Sequence, residues 1–339
     1  MGSSLHFKDV VTAGTWCLDV NRLITAWPAE DHSAKILETS ISGGGSACNF
    51  AIDILALCPE VEVATIALAG DDEYGRLLKD LAQQHGIDVE RFRLLRGEST
   101  HFTDAYTSAA SGRRTHIYSK GCADLLDVEH FDFNGLEGRF LHLGLSGAHA
   151  RLDAANAEDP TGWVSVLKRA KKAGLITNIE TQSAEDPRQL AKTNLPSLPY
   201  LDLLIVNDWE IQALAGRTGE EITTNQGDMV DAARKILNSG SMELVVVHEP
   251  RFAICIPRAG EPIIVPSIRV PRQDIVGANG AGDAFAAGFV CGIRRQRPVE
   301  ECLFYGHAAA VASMSDITPY KGVRSIEECL SSVRALQSD

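Results

Sequence analysis

The stretch DIVGANGAGDAFAAGF, residues 274–289, packs four glycines into the twelve positions from Gly277 to Gly288 and delivers Asp283 directly behind Gly280-Ala281-Gly282. Successive amides without bulky side chains, set ahead of an Ala/Phe-rich helix, form an anion-binding concavity reinforced by the helix dipole. A carboxylate at that place can act as a base beside accumulating negative charge. It can equally serve as an acid that caps its own helix.

Three further groups carry polar chemistry. In VNDWEIQAL, Asn207 ends an apolar run and Glu210 follows three residues on. The pair reads either as a helix cap with a reciprocal capping box or as oxygens that hold Mg²⁺ through water. In GGGSACNFAIDILAL (43–57), Gly44 and Gly45 allow close backbone approach to a ligand and Asn49 can both donate and accept hydrogen bonds. This is neither a dinucleotide fingerprint nor a P-loop. Asp19 follows the first strand-like run as an isolated acid, a turn former or a ligand.

The elements that must position these groups alternate. Strand-like runs recur at 10–14, 61–70, 140–145, 175–180, 201–207 and 243–248, with helix-like segments at 72–85, 163–173, 227–238 and 298–313. Such alternation predicts an α/β fold: a doubly wound, mostly parallel sheet between two helix layers. Ligands then collect at the carboxyl ends of the strands. The segment 101–118 alternates at period two around a Ser-Gly turn, predicting a β-hairpin. With 18–42 it forms a small β-sheet projecting from the single domain of 1–339, the lid subdomain spanning 18–42 and 98–120; lid and edge hairpin both remain open.

The whole chain narrows the options. Its 339 residues are 45% hydrophobic and 23% charged, an ordinary globular balance, and its formal charge of −13 disfavours nucleic acid and acidic membranes as partners. The longest apolar runs are far too short to span a bilayer, and the amino terminus carries no secretory pattern, so the expected location is cytoplasmic. Eight cysteines lie scattered without metal or disulfide spacing and are expected to be reduced core thiols.

Taken together and in order, these motifs make the chain resemble the ribokinase-like (PfkB) carbohydrate kinase family over nearly its whole length. The glycine pair followed by Asn resembles Gly44-Gly45 to Asn49, the G-D-D-x-[FY]-G stretch resembles residues 70–75, N-x-x-E matches Asn207 to Glu210, and G-A-G-D-[AT]-F matches Gly280 to Phe285. The resemblance implies transfer of the γ-phosphoryl of ATP to a hydroxyl of a sugar. It implies Asp283 as base and Gly280, Ala281 and Gly282 as the anion hole. Asp19, Gly44, Gly45 and Asn49 would hold the acceptor, Asn207 and Glu210 would organise Mg²⁺, and Asn207, His248, Gly280 and Gly282 would line the nucleotide. Glu180 is a lesser candidate on the sugar or metal side. A lid that closes over the sugar and a homodimer through that lid are further implications.

Departures from the family pattern restrict what is inherited. Where many members carry T-x-G-x-x-G, this chain reads His248, Glu249, Pro250 and, further on, Ala253, so the nucleotide contacts differ. The Asp-Thr pair linked to a monovalent cation is Gly277-Ala278, which leaves Asp274 as the candidate for K⁺. Ser46 replaces a Lys of ribokinase-like sequences and argues against ribose itself. A nucleoside kinase, and a sugar- or nucleotide-binding protein without catalysis, remain as alternatives.

Overall fold

A computed structural model describes residues 5–182 and 186–336. β1 (Val10–Gly14), fully buried and built of small and β-branched residues, is the centre of a parallel sheet. It pairs on one side with β4 (Val63–Gly70), flanked by β5 (Asp88–Leu95), and on the other with β8 (Phe140–Ser146), flanked by β9 (Ile176–Thr181). Beyond β9 the Asp202 N–H bonds to the Thr177 carbonyl at 3.0 Å. There β10 (Leu203–Asn207) begins and runs parallel to β11 (Leu244–His248), followed by antiparallel β12 (Phe252–Pro257) and β13 (Ile263–Pro266).

Helices cover both faces, as parallel strands joined by crossovers require. One face packs on α1 (Ser46–Leu57) and α2 (Glu73–Gln84), together with the three carboxyl-terminal helices 281–294, 299–313 and 326–336. The opposite face packs on helices 162–172, 208–214 and 226–239. The fold is thus the three-layer, doubly wound α/β architecture expected. β5 escaped the sequence reading because its alternating DVERFRLL carries four charges at the sheet edge.

A separate sheet of order β3-β2-β6-β7 consists of β2 (Cys17–Ile24), β3 (Ile36–Gly44), β6 (Phe102–Ser108) and β7 (Arg114–Ser119). It joins the hairpin to the earlier segment. In register, Asp19 lies opposite Ser42 and Thr103, while Leu18 lies opposite Gly43 and Phe102. Cross-strand partners share a face, so one face of this sheet carries Asp19 and the other carries Leu18.

The expectation of uniformly reduced cysteines needs correction. Cys58 at the end of α1 and Cys291 in helix 281–294 are bonded to each other across 233 residues, whereas Cys17, Cys48, Cys122, Cys255, Cys302 and Cys329 are free and buried. Helix packing creates this pair, and sequence spacing carries no trace of it. Among the described residues no helix is long and apolar enough to cross a membrane.

Candidate active site

Gly280 precedes helix 281–294 with φ of 78°, and a Cβ there would lie 2.4 Å from the Pro319 side chain. Only glycine meets both conditions. The N–H groups of Ala281, Gly282 and Asp283 occupy the first turn, where no intrahelical acceptor exists, and no side chain caps them. Asp283 therefore does not cap its own helix. Its Oδ2 accepts a 2.8 Å hydrogen bond from Asn49 Nδ2, and its buried Oδ1 meets no donor among the described residues.

The opposite wall is β3 running into α1. Gly45 is the first cap of α1 with φ of 87°, and a Cβ on it would stand 2.6 Å from the Thr15 carbonyl. A Cβ on Gly44 would stand 2.4 Å from the Asp19 carboxylate. The two glycines thereby let the strand press against Asp19 and turn Asn49, one helical turn on, toward Asp283. Asp19 is buried and accepts a long 3.5 Å contact from the Cys17 thiol.

A third wall, largely missed by sequence reasoning, rises from β8 and β9. Ser46 Oγ donates to Glu180 Oε2 at 2.6 Å, and His142 Nε2 lies 3.0 Å from both atoms. Asn178 Nδ2 donates to His142 Nδ1 at 3.2 Å, which assigns the His142 proton to Nε2, facing Glu180. Burial, followed by the Glu180 charge, holds the Asp283 carboxyl well above the usual range. Burial raises Glu180 to about 7 against the pull of the Ser46 hydroxyl, and burial drops His142 to about 4, leaving it neutral. Glu180 as a like charge raises Asp283, so ionisation of both carboxyls at once is disfavoured. The signal that would have exposed His142 is its polarity at the centre of the apolar run FLHLGL.

Asn207 and Glu210 realise the capping box. Asn207 Oδ1 accepts from the Glu210 amide at 2.8 Å, and Glu210 Oε2 accepts from the Asn207 amide at 3.0 Å. They nonetheless line a cavity of about 280 Å³ together with Asp283, Glu180, His248 and the Gly280 to Gly282 turn. Among the described residues no cluster of three or more His, Cys, Asp or Glu forms a metal cage. Glu180 and Glu210 interact across this cavity as like charges. Two carboxylates and an amide oxygen suit Mg²⁺ that keeps most of its water, the mode that ion prefers.

A neighbouring cavity of about 680 Å³ shares Asn207, His248 and Gly282 and extends past Trp209, Phe285 and His307. His248 ends β11 and lies 3.4 Å from where a Gly282 Cβ would stand, so its ring roofs the amide turn. Burial, then His307, lowers it to about 4. Asp274 is exposed and lines neither cavity, which separates it from the other candidates. The sequence gives no hint of Trp209 or His307, which reach the second cavity from different helices.

The pfkB family carbohydrate kinase profile matches residues 8–323. An adenosine kinase of Schizophyllum commune is 26% identical over 309 residues, covering 85% of this chain and 84% of its own. An ATP-dependent ribose-1-phosphate kinase of Halopiger xanaduensis is 27% identical over 299 residues, covering 88% and 89%. The structure of Arabidopsis thaliana ribokinase complexed with ribose and ATP superposes with a TM-score of 0.77 at 19% identity, over 97% of this chain and 99% of that one.

Proposed function

The chain belongs to the pfkB family of carbohydrate kinases, and on that premise we propose that it moves the γ-phosphoryl of ATP onto a hydroxyl of a sugar or sugar derivative, with Asp283 as base. The observation that carries this reading is the state of Asp283. One oxygen is held by Asn49, the other is open, and uncapped first-turn amides lie alongside.

Such a site performs phosphoryl transfer by positioning and by countering charge. Asp283 Oδ1 takes the proton as the acceptor oxygen bonds to the γ-phosphorus and the bond to the ADP oxygen breaks. The amides of the Gly280 to Gly282 turn face the negative charge on the moving group. Asp19, Gly44, Gly45 and Asn49 hold acceptor hydroxyls, while Asn207 and His248 line the nucleotide. Mg²⁺, held through water by Glu210 and Asn207, supplies charge neutralisation at the phosphates when bound. The four-stranded sheet acts as a lid that excludes water from the acceptor. A homodimer through its outer face, where Ile117 stays exposed, is part of the same reading and is checked by sedimentation.

A sugar is favoured over a nucleoside because the Asp19 face of the lid presents Asn21, Ser40, Ser42 and Thr103 in register. Convergent hydrogen-bonding groups suit a polyol. A nucleoside is the second reading, since Tyr118 lies opposite Thr103 on that face and offers a ring to a base. The test is acceptor-dependent ADP release across sugar and nucleoside panels. Wild type turns over, Asp283→Asn loses about 10³-fold or more while acceptor binding persists, and absence of turnover on every acceptor would leave a binding protein.

A further inference from the structure

The Asn49–Asp283 bond ties the amino-terminal ends of α1 and helix 281–294, and a second tie joins the same two helices further along. Cys58, nine residues beyond Asn49, closes α1 and is bonded to Cys291, eight residues beyond Asp283. The two ties therefore stand about 12 Å apart along helices that pack on each other. On α1, between the ties and one turn beyond Asn49, Asp53 is fully buried, and neither of its carboxyl oxygens meets a donor among the described residues. A buried carboxyl left unmatched costs stability, so noncovalent packing alone holds this stretch weakly.

Both cysteines are buried, but Cys58 runs directly into exposed Pro59 and Glu60. Ion pairs hold this connection down, Glu60 Oε1 lying 2.8 Å from Arg294 Nη1 and 3.8 Å from Arg295 Nη2. Glu60 is half exposed, and pairs of that kind contribute little. Local opening of 58–60 thus uncovers the Cys58 sulfur without unfolding the sheet. A dithiol reductant can then act. Its thiolate attacks the Cys58 sulfur, Cys291 leaves as a thiolate and takes up a proton, and the reductant's second thiol displaces Cys58 while closing its own internal disulfide. Two electrons and two protons pass to the protein, which ends with two thiols.

We infer that Cys58 and Cys291 are a positioning pair and a redox-controlled clamp: while bonded they hold α1 and helix 281–294 in the relation that brings Asn49 to Asp283, and reduction releases it. The clamp requires nothing of the phosphotransfer reading; only the loss of turnover on reduction rests on it. The experiment takes the full chain, purified without reductant, before and after treatment of the folded protein with dithiothreitol, and counts thiols by maleimide labelling after denaturation. Six thiols are expected before treatment and eight after. Amide hydrogen exchange in the first turns, 46–50 and 281–286, should rise several-fold on reduction, while helix 226–239 on the opposite face of the sheet keeps its protection. Cys58→Ala/Cys291→Ala should show the reduced pattern and no response to dithiothreitol; where that variant does not fold, reduction of wild type carries the test. Eight thiols in the untreated chain, six still present after treatment, or exchange in the two first turns that is unchanged or rises equally in helix 226–239, would overturn the inference. Absence of turnover on every acceptor would overturn the phosphotransfer reading and leave this comparison intact.

Discussion

Asn49 and Asp283, 234 residues apart, meet through a 2.8 Å bond that occupies one carboxylate oxygen and leaves the other without a donor among the described residues. Asn49→Ala removes the donor and frees the carboxyl to rotate. Because misplacement of a base costs rate steeply, kcat is expected to fall about 10- to 100-fold, with a rise in acceptor KM and the ATP KM unchanged. Steady-state kinetics on the purified variant check this. A KM effect on ATP alone would contradict the assignment of Asn49 to the acceptor side.

Glu180 sets function against stability. With its carboxyl at about 7 rather than the ordinary 4.5, the native chain holds a proton that the unfolded chain releases between those values. This group therefore lowers stability as pH rises from about 4.5 to about 7. Glu180→Gln is expected to gain on the order of 1 kcal/mol at pH 8, and less below pH 5. It should also lose activity and move the acidic limb of kcat/KM to lower pH, because the like charge beside Asp283 is gone. Thermal melts at two pH values and a pH-rate profile measure both effects.

The buried histidines act in the opposite direction. His101, His142, His149, His248 and His307 are all lowered to about 4, mainly by burial. Below the ordinary 6.5 the unfolded chain takes up protons that the native chain refuses, so these groups reduce stability as pH falls from about 6.5 to about 4. Denaturation midpoints should drop across that window, and His149→Gln should soften the drop. His149 suits the test because its bonds to Thr15 Oγ1 and the Ala123 carbonyl are both 2.7 Å and it does not line the cavity that Asp283 borders.

What the sequence made legible was local. Gly280-Ala281-Gly282-Asp283 and Asn207 to Glu210 are motifs within one turn, and their backbone consequences follow from residue type. What it hid depends on register. His142 reaches Glu180 only because β8 and β9 run parallel with His142 opposite Asn178. Cys58 finds Cys291 only through helix packing, and Asp274, close in sequence to Asp283, is carried away by the loop between them. The capping box at Asn207 satisfies the helix-cap reading, and because that helix starts at a strand's carboxyl end the same two residues border the cavity that Asp283 lines.

His248 replaces the family's threonine, and its ring lies across the Gly282 amide turn and borders both cavities. His248→Ala should raise the ATP KM about tenfold, the loss of one hydrogen bond to a charged group, while acceptor KM stays within about twofold. Initial rates with each substrate varied separately provide the measurement. Equal effects on both KM values would place His248 at the junction of the two sites and not on the nucleotide.

Monovalent cations form the remaining case. A K⁺ site needs several oxygens converging on one point, and the Gly277-Ala278 pair brings no side-chain oxygen where relatives of this pattern carry Asp-Thr. Asp274, the acid nearest in sequence, is exposed and borders neither cavity. Asp316, on the loop packed against Gly277, already spends Oδ1 on the Thr318 amide and hydroxyl, each at 2.8 Å. Replacing K⁺ by tetramethylammonium at constant ionic strength should therefore change kcat and both KM values by less than about twofold, and Asp274→Ala should match wild type in either salt. Strong activation by K⁺, lost in Asp274→Ala, would mean that the loop folds inward when the nucleotide binds and brings that carboxylate to the site.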